Sequence, residues 1–215
     1  MLKRLALSLA VSITSGSLLA QAPAPAPATP AAPQVRLRAV IEKIDALSIT
    51  IKERSGEVIT LVRPAAMEVS EVYPTDIADI KPGSYIGTAA MPQADGTQLA
   101  LEVLVFPEAA RGAGEGHRPW DLRPASTMTN ATVADLAASS SSTPGGQKLT
   151  LRYKDGEQVV IVPAGVSVVS FKPGKLDEAA LLVAGAKVLI TAQERDGKPT
   201  ALRVLVGRNG FAPPM

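Results

Sequence analysis

The chain has 215 residues, 46% hydrophobic but only 3% aromatic, so it can bury a sizeable core and that core must be aliphatic. Lys3 and Arg4 account for the whole +2 formal charge, and the remainder sets 20 Lys and Arg against 20 Asp and Glu; this excludes the cationic excess on which generic nucleic-acid binding rests. The absence of cysteine excludes disulfides, thiolate metal sites, cysteine nucleophiles and a lipid-modified N-terminal cysteine.

In chain order, residues 1–20 read as a signal peptide. Lys3 and Arg4 form a short positive region, Leu5–Leu19 is uncharged and mostly apolar, and Ala20 is a suitable residue before cleavage. The apolar run is too short and too rich in Ser and Thr to span about 30 Å of hydrocarbon. Residues 21–34 are an Ala/Pro-rich linker whose alternating prolines favour extended polyproline II. A periplasmic or secreted protein with no membrane span after cleavage is expected.

From residue 35 onward the chain repeats itself at a period near 100. Ser48–Val62 aligns with Lys148–Val162 without a gap. Gly83-Ser84-Tyr85-Ile86 then aligns with Gly185-Ala186-Lys187-Val188, Asp95-Gly96 with Asp196-Gly197, and Ala100–Val105 with Ala201–Val206. Each copy reads as five strands; in the first these are Val35–Asp45, Leu47–Arg54, Glu57–Val62, Tyr85–Ala90 and Gln98–Phe106. Ser55-Gly56, Asp155-Gly156, Asp95-Gly96 and Asp196-Gly197 are hairpin signals in which Gly supplies a positive φ. In the last strands Leu101, Val103 and Val105 are expected on one face, as are Leu202, Val204 and Val206. Thr75–Ile80, stopped by Pro82-Gly83, suits a short helical turn, with its counterpart in Lys175–Val183.

The predicted fold class is therefore all-β: two tandem five-stranded OB-like barrels with short helical turns between strands three and four. The predicted boundaries are 35–110 for the first barrel, 111–128 for a connector, 129–210 for the second barrel and 211–215 for a tail. Residues 35–110 carry 7 Lys and Arg against 11 Asp and Glu, and residues 129–210 carry 10 against 7, so the halves are expected to dock. Leu104 and Leu205 would add apolar surface to that contact.

The strand, Gly hairpin, Asp-Ile-Lys-Pro-Gly-Ser-Tyr-Ile-Gly at 79–87 and Asp-Gly-Thr-Gln-Leu-Ala-Leu-Glu-Val at 95–103 resemble an exported bacterial OB-like repeat domain family of unknown function. The resemblance covers both repeats and is stronger in the first. The second departs from it at Ala186-Lys187-Val188 and in a Ser/Gly-rich insertion, Ser139–Gly146. The resemblance implies fold and export and carries over no activity.

The unrepeated connector holds the sole His and the sole Trp, so His117, Arg118, Trp120, Asp121 and Arg123 are the candidate ligand-binding residues. The plainer expectation is that Trp120 packs between the barrels, with Arg118 or Arg123 paired to a carboxylate. A second candidate is the basic face of strand two, Lys52 and Arg54, with Arg152 and Lys154 at the matching places. Copper would accept His117 and Met128, with Met67, Met91, Glu115 and Asp121 as further donors, although no tight ligand spacing is present. No nucleophile elbow or phosphate-binding loop occurs, so a catalytic role is not expected and no cofactor is implied. The expectation is a non-enzymatic periplasmic binding or scaffold protein with a protein or anionic cell-envelope partner; the alternative is a periplasmic copper-type binding protein using the connector.

Overall fold

The computed structural model describes residues 32–138, 146–172 and 178–214. The expected signal peptide, most of the linker and most of the Ser/Gly-rich insertion lie outside the described residues. Short alternating segments, separated by Gly, Pro and Asp turns, form strands β1 (Gln34–Ile44), β2 (Ser48–Glu53), β3 (Val58–Val62), β4 (Glu68–Pro74), β5 (Tyr85–Pro92) and β6 (Gln98–Val105). They continue as β7 (Gly116–Pro119), β8 (Thr127–Ala138), β9 (Gln147–Tyr153), β10 (Gly156–Val162), β11 (Ser167–Lys172), β12 (Lys187–Arg195) and β13 (Lys198–Gly207). One helical turn, α1 (Glu178–Leu181), precedes β12, and a 3-10 turn at Ile77–Asp79 precedes β5. Asp76 caps that 3-10 turn by accepting from the Ala78 N–H. The protein is all-β, with its strands joined in one large sheet.

Two aliphatic cores form. The first contains Ile41, Ile49, Ile51 and Leu61 together with Leu181, Val188, Ile190, Val204 and Val206. The second contains Ile86, Ala100 and Val103 together with Val133, Leu149, Leu151, Val160 and Val162. Neither core respects the expected boundaries at 35–110 and 129–210. β1 pairs with β12 along Gln34–Val40, while β5 pairs with β8 along Tyr85–Ala90. The first three strands of each half thus complete their sheet with the last two strands of the other half. Around the first core the pairing runs β1, β2, β3, β13, β12 and back to β1. Around the second it runs β8, β9, β10, β6, β5 and back to β8. Burial is indifferent to which half supplies a strand, so the same hydrophobic pattern satisfies exchanged and unexchanged pairing equally.

β4 and β11 were not anticipated from the sequence, and they join the halves. β4 runs parallel to β13, β11 runs parallel to β6, and the two pair antiparallel with each other. Val72, Leu104 and Val169 are buried at this seam, with Phe106, Phe171, Leu205 and Phe211 packed against them. The Phe106 ring meets Phe171 edge-on at 5.8 Å. Leu104 and Leu205 therefore do help to join the halves. The charges also meet as expected: Arg203 bonds Glu68, and both Lys172 and Arg208 bond the buried carboxylate of Glu71.

Three local expectations need correction. A bulge lies between the Glu102 and Ala100 pairings of β6, and another at the matching place in β13. Ala100, Val103 and Val105 consequently face the second core and Ala201, Val204 and Val206 the first, while Leu101 and Leu202 fall out of the alternation. The ungapped match also slips in the third strand of each half. Lys52 pairs with Val58 but Arg152 pairs with Glu157, so Leu61 corresponds to Val160 rather than Ile161. Finally, Gly56 has φ +92 as a tight turn requires, whereas Gly156 lies in β10 without a positive φ. Its close neighbour is the Tyr153 ring, and a Cβ there would sit 3.1 Å from the Tyr153 hydroxyl.

Candidate ligand groove and connector

Period-two alternation puts Ile49 and Ile51 of β2 in the core and Lys52 and Arg54 in solvent. Val40 of β1 pairs with Lys52 on one side and with Lys187 of β12 on the other, so these three residues form one row across three strands. Arg38 lies two residues earlier on the same face of β1. Together with Ala39, Glu53, Val188, Ala212 and Pro213, these residues line a cleft of about 330 Å³. Its lining holds four cations, Arg38, Lys52, Arg54 and Lys187, against the single carboxylate of Glu53.

The second core has the corresponding row. Thr132 of β8 pairs with Arg152 of β9 and with Tyr85 of β5. By register Arg152 stands for Lys52, Lys154 for Arg54, Tyr85 for Lys187 and Asn130 for Arg38. This second face is covered by the connector. Asn130 Nδ2 and the Tyr85 hydroxyl both donate to the Ala113 carbonyl, at 3.0 and 3.3 Å. The Lys154 backbone N–H donates to the Glu115 carboxylate at 3.0 Å. Burial and the nearby Glu115 charge push the Tyr85 pKa upward, so the phenol stays a donor. Gly114, between these anchors, has φ +58, and a Cβ there would lie 3.1 Å from Asn130 Nδ2. The connector lies this close to β8 because residue 114 has no side chain.

The connector continues as β7, paired with β8. His117 opposes Thr129, and its Nδ1 lies 2.8 Å from the Thr129 hydroxyl. Partial burial, with Arg118 adding to it, lowers the His117 pKa. Trp120 is mostly buried, with the Arg36 guanidinium 3.9 Å from its ring centroid and that of Arg118 at 5.5 Å. Its Nε1 is buried with no hydrogen-bond acceptor among the described residues. Asp121 binds Arg38 at 3.1 Å and Arg36 at 3.8 Å.

Of the sequence candidates, the structure gathers Trp120, Arg118 and Asp121, but around β1 cations that were not anticipated. The carboxylate partners are Arg36 and Arg38, whereas Arg118 donates to the Gly114 carbonyl and Arg123 bonds Ser126 through its backbone. His117 and Met128 do not converge. Arg118 opposes Met128 and His117 opposes Thr129, so the two supposed ligands lie on opposite sides of the β7–β8 ribbon. Met128 is moreover 2% exposed. The basic pairs divide as well: Lys52 and Arg54 line the open cleft, while Arg152 is engaged by Glu157 at 3.1 Å and Lys154 borders the covered face. Sequence reading missed Arg38 and Lys187. Lys187 was visible only as a departure of the second repeat from the first, and its meaning depends on pairing with the other half.

No protein-family model, curated protein or solved structure matches the chain. The resemblance to exported OB-like domains rests on the repeat motifs alone.

Proposed function

We propose that the chain is an exported, non-enzymatic binding or scaffold protein whose two OB-like barrels exchange strands and present one open cationic groove to an anionic cell-envelope partner. The open groove carries this reading. Four cations converge on a cleft in the first core, while the matching face of the second core is closed by the chain's own connector. Two circuits of five strands, each with a helical turn before its fourth strand, support the OB-like assignment. The charge and apolar pattern of residues 1–20, followed by the Pro-rich tether, supports export to the periplasm or beyond. The lining supplies four cationic side chains and apolar surface, which suits the binding of an anionic group.

The test is retention of the purified exported protein on immobilised envelope extract. Retention is expected to weaken with salt, to fall on Lys52→Glu or Lys187→Glu, and to persist in Arg152→Glu. Retention indifferent to the groove charges would overturn this reading. Retention of Met1 on a membrane-bound form would overturn export.

A further inference from the structure

The open groove and the connector meet at one residue. Arg38 lines the cleft, and its Nη2 lies 3.1 Å from Oδ1 of Asp121 at the far end of the connector. Arg36, two residues earlier on β1, stands outside the cleft lining and is divided between two partners. Its guanidinium lies 3.9 Å from the centroid of the Trp120 ring, while its Nη1 reaches the second Asp121 oxygen only at 3.8 Å. The Trp120 main chain is fixed beside β8: its N–H donates to the Ser126 carbonyl at 2.8 Å, and its carbonyl accepts from the Ser126 hydroxyl at 3.1 Å. What can change at this corner is therefore the set of side-chain contacts with β1.

These contacts set Asp121 against any anion in the groove. The Asp121 side chain is 45% exposed and that of Arg38 16%, so the ion pair is open to water on one side and costs little to exchange. A second anion on the same guanidinium would stand close to the Asp121 carboxylate, and their repulsion favours one occupant at a time. We infer that Asp121 is an internal competitor for the groove: a bound anion displaces it from Arg38, and the displacement passes through Arg36 to Trp120. Having lost Arg38, the Asp121 carboxylate draws the Arg36 guanidinium to itself and off the indole. Occupancy of the first-core groove thus uncovers Trp120 on the connector. The inference rests on the proposed function and adds the regulation of that site. Whatever tightens the hold of Asp121 on Arg38 weakens the groove by the same factor.

The experiment is titration of the purified exported protein with inorganic tripolyphosphate at constant ionic strength, followed by calorimetry and by acrylamide quenching of Trp120. Binding is expected to be lost in Lys187→Glu, and quenching of the unaltered protein is expected to rise at saturation. Asp121→Asn should tighten binding about fivefold. It should also abolish the rise in quenching, because nothing then draws Arg36 off the indole. Glu53→Gln removes the same charge from the cleft wall itself. There salt screening limits the effect, so it should tighten binding less than about twofold and keep the rise in quenching. Unchanged quenching at saturation, weaker binding by Asp121→Asn, or equal gains from Asp121→Asn and Glu53→Gln would each overturn the competition and leave the groove standing. Binding that survives Lys187→Glu, or no binding by either the unaltered protein or Asp121→Asn, removes the groove reading and the competition together.

Discussion

Val72 and Phe171 occupy the same place in the two repeats, and they pair with each other. Val72 stands opposite Gly207 on β13 and Phe171 opposite Val72 on β11, in a ladder where Glu71 faces Lys172 and Tyr73 faces Ser170. Equivalent residues meeting each other mark a two-fold axis, the mark of an isologous contact between identical subunits. Here the two subunits are halves of one chain. The same axis relates β1–β12 to β8–β5, so the exchange of strands and the central seam are one arrangement.

Cutting the connector tests that arrangement directly. A protease site placed between Arg111 and Gly112, both exposed, should be cleaved without releasing two particles. Each core needs strands from both sides of the cut, so the fragments should co-elute in native buffer and separate only in denaturant. Two separate folded domains after cleavage would mean that each repeat completes its own sheet.

The same interlocking predicts one unfolding transition. Ile51 and Leu151 are fully buried in the first and second cores respectively. Ile51→Ala and Leu151→Ala should each cost about 2–5 kcal/mol, and both should lower the midpoint of the same calorimetric transition. Two transitions, each shifted by only one of the variants, would contradict shared cores.

Much of this was legible in the sequence up to the level of the strand and no further. The five anticipated strands of each repeat all form, because alternation and Gly turns are local signals. Which copy of a strand pairs with which is not local. Leu37, Ile41 and Ile49 would bury equally well beside Val103 or beside Val204, so repeated patterns carry no information about exchange. β4 was missed because Glu68–Pro74 mixes charged, polar and apolar residues; its burial depends on two neighbours, β13 and β11, from the other half. The connector residues were found because they occur once, but their partners Arg36 and Arg38 lie some 80 residues away on a strand that looked unremarkable.

Glu71 should give the stability a definite acid limb. Its side chain is 4% exposed and bonds Arg208 at 2.9 Å and Lys172 at 3.1 Å. The Arg208 hydrogen bond, opposed by burial and aided by Lys172, holds its pKa below the ordinary value. A carboxylate whose pKa is lower folded than unfolded stabilises the fold above its unfolded pKa, about 4.3, and loses that contribution as pH falls through the folded value. Glu71→Gln should therefore lower the melting temperature near pH 7 and flatten its fall in acid. An unchanged acid limb would remove Glu71 from the account.

Trp120 should report the packing of the connector against β1. The indole is mostly buried, and an arginine–aromatic contact is worth about 0.5–2 kcal/mol depending on desolvation. Emission of this sole Trp is expected to be blue-shifted and poorly quenched by acrylamide. Arg36→Ala should raise quenching with a small loss of stability, whereas Arg123→Ala, which removes no side-chain contact to the indole, should leave the emission alone. Free quenching in the unaltered protein would place Trp120 in solvent instead.

The last expectation concerns how the second face is kept closed. Gly114 is needed there twice over: its φ of +58 is a conformation that other residues adopt at a cost of about 1–2 kcal/mol, and any Cβ would crowd Asn130. Gly114→Ala should therefore lift the Ala113–Glu115 segment while both hydrophobic cores, which that segment does not enter, stay intact. The readout is amide hydrogen exchange at Lys154, whose N–H is held by the Glu115 carboxylate. Exchange there should accelerate in Gly114→Ala and also in Glu115→Ala, which removes the acceptor without straining the backbone. Amides of β9 that bond to β10 should keep their protection in both variants, since that ladder runs from Gln147 to Tyr153 without the connector. Loss of protection throughout β9 would mean that the connector helps to hold the second core together, and that its fit over Asn130 and Tyr85 is structural support for the sheet.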